Sequence, residues 1–275
     1  MLRSVAPRFL CLFAAAGLFG ACDTSKQDDL VTAIECNILS LCYQENTRFG
    51  MVGDSWTDFG YGAQVQRDLH DWLIQDHGYR LTSVVLAGQT ISGDLNTARG
   101  FQRVIEQAGP NLAYMLVSLG GNDMLDDIND YAVTDITPVV NARLNAYESN
   151  LRSLVAQGDY IKQNRYGGQP LTWIIHGYDY ANPALVSFCN VTAGGLSLAE
   201  KESRMQTILD AFNARQIAIA ASMSNVYHLD LRATLGGPPT SNPTLKLDCI
   251  HPNEIGFRII ASRYAGMLNL ITQER

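Results

Sequence analysis

Near its C-terminus the chain reads Asp248-Cys249-Ile250-His251-Pro252-Asn253. A carboxylate three residues before a histidine can share one tight turn with it. It then accepts a hydrogen bond from one imidazole nitrogen and leaves the other free to act as a base. A base needs a group to deprotonate. Ser55, in Gly53-Asp54-Ser55-Trp56-Thr57-Asp58, is a candidate, because a serine at a strand-to-helix turn exposes its hydroxyl where the helix start favours developing negative charge. Asn122, in Gly120-Gly121-Asn122-Asp123, carries an amide able to donate to an oxyanion. Gly88, in Leu86-Ala87-Gly88-Gln89-Thr90, lets the backbone approach a ligand closely. Each segment taken alone also has a plainer reading. These are a capping serine, a turn glycine, a capping asparagine, and a loop histidine ahead of a helix start.

The candidates follow apolar runs that read as strands. Phe49-Gly50-Met51-Val52 precedes Ser55, Leu81 to Leu86 precedes Gly88, and Leu112 to Leu119 precedes Asn122. Leu171 to Ile175 and Val226 to Leu231 supply a fourth and a fifth strand. Between them the apolar spacing predicts helices over Arg67 to His77, Leu95 to Gln107 and Pro138 to Gln157. A capping box, Ser197-Leu198-Ala199-Glu200, opens another that runs to about Ala221, and Glu254 to Ile271 closes the chain. Five apolar strands separated by helices imply a parallel sheet covered on both faces, a three-layer α/β/α sandwich. Ligands bind such sheets at the carboxyl ends of the strands, where Ser55, Gly88 and Asn122 would stand.

In order, spacing and position after strands, these segments resemble the SGNH or GDSL hydrolase family of serine esterases and lipases. Ser55 matches the serine of its first block, Gly88 the glycine of the second and Asn122 the asparagine of the third. Asp248 and His251 match its D-x-x-H. The resemblance runs from Phe49 to the C-terminus and implies a flavodoxin-like, five-stranded SGNH domain over residues 47–275. It also implies a carboxylic ester hydrolase that forms an acyl-enzyme on Ser55, with His251 as base and Asp248 orienting it. The Ser55 and Gly88 N–H groups and the Asn122 side chain would hold the oxyanion. Lipid acyl or acylated carbohydrate esters are the substrates implied, with no metal and no cofactor. An acyltransferase on the same scaffold differs only in the acceptor that deacylates the enzyme. A glycan-binding surface lipoprotein with a dead site would not need Ser55, Asp248, His251 and Asn122 intact. No G-x-S-x-G elbow is present, which argues against an α/β-hydrolase.

The first 21 residues read as an export signal: Arg3 and Arg8, an apolar run from Phe9 to Phe19, then Gly20-Ala21-Cys22. Leu18 to Cys22 resembles a bacterial lipobox, which implies lipidation of Cys22 and a periplasmic or cell-surface protein anchored to a membrane. An ordinary signal cleaved after Ala14-Ala15-Ala16 is the alternative. Residues 22–46 would form a polar tether and extension. The formal charge of −7 becomes −9 once Arg3 and Arg8 are removed, and no long basic stretch marks a nucleic-acid partner. Excluding Cys11 and Cys22 leaves Cys36, Cys42, Cys189 and Cys249, an even number that suits two disulfides in an exported protein. Cys36–Cys42 would close a small loop, leaving Cys189–Cys249; buried free thiols are the alternative.

His70, His77, His176 and His228 read as surface or strand-end histidines. His176-Gly177-Tyr178-Asp179-Tyr180 follows the fourth strand and should border the pocket, with Tyr178 or Tyr180 either at substrate or packed in the rim. A zinc site at Asp248, Cys249 and His251 lacks a second ligand pair. Asn190-Val191-Thr192 matches a glycosylation sequon, which a bacterial lipoprotein would not use.

Overall fold

The computed structural model describes residues 47–58, 66–185, 189 and 191–273. The predicted export signal, Cys22, the Cys36–Cys42 pair and Asn190 lie outside the described residues. Five strands form one wholly parallel sheet: β1 (Phe49–Gly53), β2 (Leu81–Val85), β3 (Tyr114–Ser118), β4 (Thr172–His176) and β5 (Val226–Leu229). Their order across the sheet is β2-β1-β3-β4-β5. Phe49 stands level with Leu81 on one side and Tyr114 on the other, so Gly53 is level with Val85 and Ser118. The carboxyl ends of the three strands that precede Ser55, Gly88 and Asn122 are therefore flush.

The strands are apolar because both faces are covered. Every residue of β2, β3 and β4 is buried, while edge strand β5 has two half-exposed positions. Helices α1 (Leu69–Gln75) and α6 (Glu254–Gln273) pack together on one face. On the other lie α2 (Gly100–Ala108), α4 (Thr137–Tyr166) and α5 (Leu198–Ser222); a short α3 (Gly121–Leu125) follows β3. Met51, Val52, Leu116, Val117, Ile174 and Ile175 are fully buried between the layers. This is the α/β/α sandwich with a five-stranded parallel sheet that the strand pattern implies. Among the described residues no helix is long and apolar enough to cross a membrane.

Two helices depart from their sequence boundaries. The helix read over Leu95 to Gln107 is broken at Arg99, whose φ is 52°. Asp94 causes the break: its carboxylate accepts from the Gly100 and Phe101 amides at 2.8 and 3.2 Å and so caps α2 from within the preceding wide turn, Asp94–Ala98. The helix read over Pro138 to Gln157 instead continues to Tyr166. Gly158 does not stop it, because a Cβ there would stand 2.5 Å from the Trp173 ring. That glycine lets the helix lie close on the sheet, and the chain turns only at Gly167. The capping box is formed as the sequence implies: the Glu200 amide donates to Ser197 Oγ and the Glu200 carboxylate accepts from the Ser197 amide.

Candidate active site

β1 ends at Gly53, and the chain bends at once, with the Thr57 amide donating to the Asp54 carbonyl at 2.9 Å. The bend is a tight turn at Ser55 to Thr57; the first regular helix among the described residues begins only at Leu69. It buries Asp54 and Trp56 and leaves Ser55 half-exposed. Ser55 Oγ lies 2.8 Å from His251 Nε2, across 196 residues of sequence. His251 Nδ1 lies 2.8 Å from Asp248 Oδ2. With Asp248 ionised, Nδ1 carries the proton, so Nε2 accepts from the Ser55 hydroxyl. The side chains of His251 and Asp248 are only 7% and 10% exposed, which shields this pair from competing water.

The turn that carries the pair is closed by its own backbone. Asp248 Oδ1 accepts from the Ile250 and His251 amides, each at 2.8 Å. Burial pushes the Asp248 carboxyl up, but the bond and charge of His251 and the two backbone donors outweigh it and hold it below its ordinary value. The Leu247 amide donates to the His251 carbonyl at 2.9 Å, and the Asn182 amide to the Cys249 carbonyl at 2.8 Å. Cys249 is bonded to Cys189, with their Cα atoms 5.7 Å apart. The loop after β4 is thus tied covalently to the loop that holds the base.

A cavity of about 430 Å³ opens beside Ser55 and His251, and Gly88 and Asn122 also line it. The remaining wall is largely apolar, from Trp56, Ala87, Leu125, Tyr178 and Ile250. Gly88 has φ +75°, a backbone conformation that a side chain would strain. The Asn122 amide donates to Asp54 Oδ2 at 3.2 Å and to the Gln89 carbonyl at 3.1 Å. All four candidate positions that follow β1, β2, β3 and β5 therefore meet at one cavity.

Several features of the site escaped the sequence. Asp54 is a buried hub: besides Asn122 it accepts from the Trp56 amide at 2.9 Å and from Tyr178 Oη at 2.5 Å. Burial pushes its carboxyl up to about 7, against the pull of those donors. The D in the G-D-S run was visible, but nothing in the sequence shows which side chains reach it. Of the two tyrosines, Tyr178 lines the cavity from the core, whereas Tyr180 donates to Asp210 Oδ1 at 3.0 Å and does not reach it. The reading fails for His70, which is fully buried, whereas His176 stands at a strand end as expected and is fully buried there. His70 bonds Ser83 Oγ at 3.1 Å beneath α1. His176, the last residue of β4, donates from Nδ1 to the Gly177 carbonyl at 2.7 Å and stacks on Trp56. Burial pushes both imidazoles down to about 4, so they are neutral packing groups. His77 and His228 are half-buried, His228 within edge strand β5.

A family model described as "GDSL-like Lipase/Acylhydrolase family" matches residues 51–259. Among solved structures, the lipase Lip_vut3 from a goat rumen metagenome superimposes with a TM-score of 0.56 at 14% identity, covering 81% of this chain and 96% of its own. A catalytic mutant of Axe2, an acetylxylan esterase from Geobacillus stearothermophilus, does so with a TM-score of 0.51 at 20% identity, covering 80% and 93%. At such identities the likeness is one of fold. No curated protein matches the chain.

Proposed function

The chain belongs to the GDSL-like lipase/acylhydrolase family and is a carboxylic ester hydrolase, and from that premise we propose that it works by acyl transfer through Ser55, His251 and Asp248. The observation that carries this reading is the relay of two 2.8 Å contacts from Ser55 Oγ through the imidazole to Asp248, opening on the cavity.

His251 Nε2 takes the hydroxyl proton as Ser55 Oγ attacks the ester carbonyl, and a tetrahedral oxyanion forms. Asp248 holds Nδ1–H and stabilises the imidazolium. The Ser55 and Gly88 amides and one Asn122 N–H, turned from the Gln89 carbonyl, receive the oxyanion. Loss of one such donor typically costs about 10²–10³ in kcat. The imidazolium then protonates the leaving alcohol, and water, deprotonated by the same imidazole, releases the acid. The apolar wall of Trp56, Ala87, Leu125 and Ile250 suits an acyl group, and the open side suits a lipid or carbohydrate alcohol. We place the enzyme at a membrane surface through lipidated Cys22, on the strength of the Leu18–Cys22 sequence.

The test is Ser55→Ala, assayed on p-nitrophenyl esters from acetyl to palmitoyl and on acetylated sugars. Hydrolysis should vanish with thermal unfolding unchanged; a variant that keeps more than a few per cent of activity removes Ser55 from the mechanism. The acyl length preferred by the wild-type protein identifies the ester class.

A further inference from the structure

Lys246 is a buried cation that the acyl-transfer chemistry does not use. It is 6% exposed, two residues before Asp248, yet its ammonium turns inward and donates to the Ile250 carbonyl at 2.9 Å. That carbonyl lies inside the Asp248–His251 turn. The backbone of Lys246 pairs with Pro252 in an antiparallel bridge, so the residue grips the turn from outside and from within. Its Nζ also stands 5.5 Å from the ring centre of Trp56, the neighbour of Ser55. The ammonium thus touches both halves of the Ser55–His251 pair indirectly.

Burying an ammonium costs free energy unless it is compensated. Here the compensation is one carbonyl, one indole face and the nearby carboxylates Asp179 and Asp248. Asp179 is itself fully buried and fixed by the Tyr180 and Leu235 amides. A leucine or methionine would fill the same space without that cost, so the charge itself points to a role.

We propose that Lys246 is a positioning residue: its ammonium fixes the Ile250 carbonyl so that the Asp248–His251 turn keeps Nε2 on Ser55. This rests on the reading of Ser55, His251 and Asp248 as the catalytic groups. The charged neighbours of the ammonium are Asp179 and Asp248. Lys246 does not line the cavity, so it reaches the reaction through the turn and not through the substrate.

Three variants test this: Lys246→Met removes hydrogen bond and charge, Lys246→Gln keeps a polar donor without charge, and Lys246→Arg keeps both. Lys246→Met should lower kcat by about tenfold or more with KM within about twofold, the mark of misplaced groups and not of lost binding. Lys246→Gln should fall between Lys246→Met and wild type, and Lys246→Arg should restore kcat to within about twofold of wild type. An unchanged kcat in Lys246→Met overturns the proposal, as does a KM that rises in step with the loss of kcat, and so does an arginine variant as slow as the methionine one. If Lys246→Met does not fold, the glutamine and arginine variants decide. Ser55→Ala runs beside them: activity in that variant defeats the underlying reading, whereas an inactive Ser55→Ala with lysine variants of unchanged kcat defeats only the role of Lys246.

Discussion

Breaking the bond between Cys189 and Cys249 should cost rate as well as stability. The two cysteines are 60 residues apart in sequence, and the chain-entropy model gives a closed loop of that length about 4 kcal/mol at 25 °C. Unfolding of a domain of about 230 residues carries an entropy near 0.5 kcal/mol/K, so the loss corresponds to a Tm lower by about 9 °C as an upper value. The kinetic effect has a different origin. Cys249 lies between Asp248 and His251, and both cysteines are buried. Without the bond, the turn is still held by the Asn182 amide on Cys249 and by Lys246 on Ile250, so it should loosen and not collapse. A displacement of about 1 Å can cost on the order of 10²-fold in rate. We expect kcat to fall between about tenfold and 10²-fold, with KM little changed. The assay pairs calorimetry with ester hydrolysis on Cys189→Ser and on wild-type protein after mild reduction, which should agree because both remove the same constraint. Non-reducing peptide mapping supplies the independent check. A free Cys249 in protein from an oxidising compartment, a Cys36–Cys249 linkage, or a variant with unchanged Tm and kcat would refute the reasoning.

Asp248→Asn should fold and lose about 10³–10⁴ in kcat, because an amide can hold the wrong imidazole tautomer; an unchanged kcat removes Asp248 from the mechanism. His70 titrates near 6.5 unfolded, and burial pushes it down to about 4 in the folded protein. Between those values the unfolded chain binds the proton that the folded one refuses, so His70 withdraws about 3 kcal/mol of stability as pH falls through that window. Urea unfolding of His70→Gln at pH 4.5, 5.5 and 7 should therefore show a shallower loss than wild type, and parallel profiles would exclude this assignment. The precursor should be processed at Cys22 and partition with membranes. Mass spectrometry of the mature N-terminus checks this, and an unmodified N-terminus elsewhere in soluble protein would end the lipoprotein reading.

The five strands, their parallel arrangement and the positions of Ser55, Gly88, Asn122, Asp248 and His251 after strands were legible in the sequence. Apolar runs of four to eight residues, most of them close to a glycine, are local signals, and a strand buried on both faces favours such a composition. The D-x-x-H spacing is local too, since one turn holds both residues. What the sequence could not show is set by packing across the sheet. Asp94 stands just ahead of the helix read from Leu95, and only the structure shows its carboxylate capping the helix that begins at Gly100. Gly158 reads as a helix stop until Trp173 is seen to require it. His70 and His176 read as surface or strand-end residues, and only the packing shows that the core takes both in as neutral rings. The partners of Asp54, from Tyr178 at 124 residues' separation to Asn122 at 68, depend on the order β2-β1-β3-β4-β5. Burial of Lys246 likewise follows from where Trp56 and Asp179 arrive from other strands. Residue types and spacing supply the reactive groups; only the tertiary structure decides which buried charges and amides hold them in place, because those contacts join segments far apart in the chain.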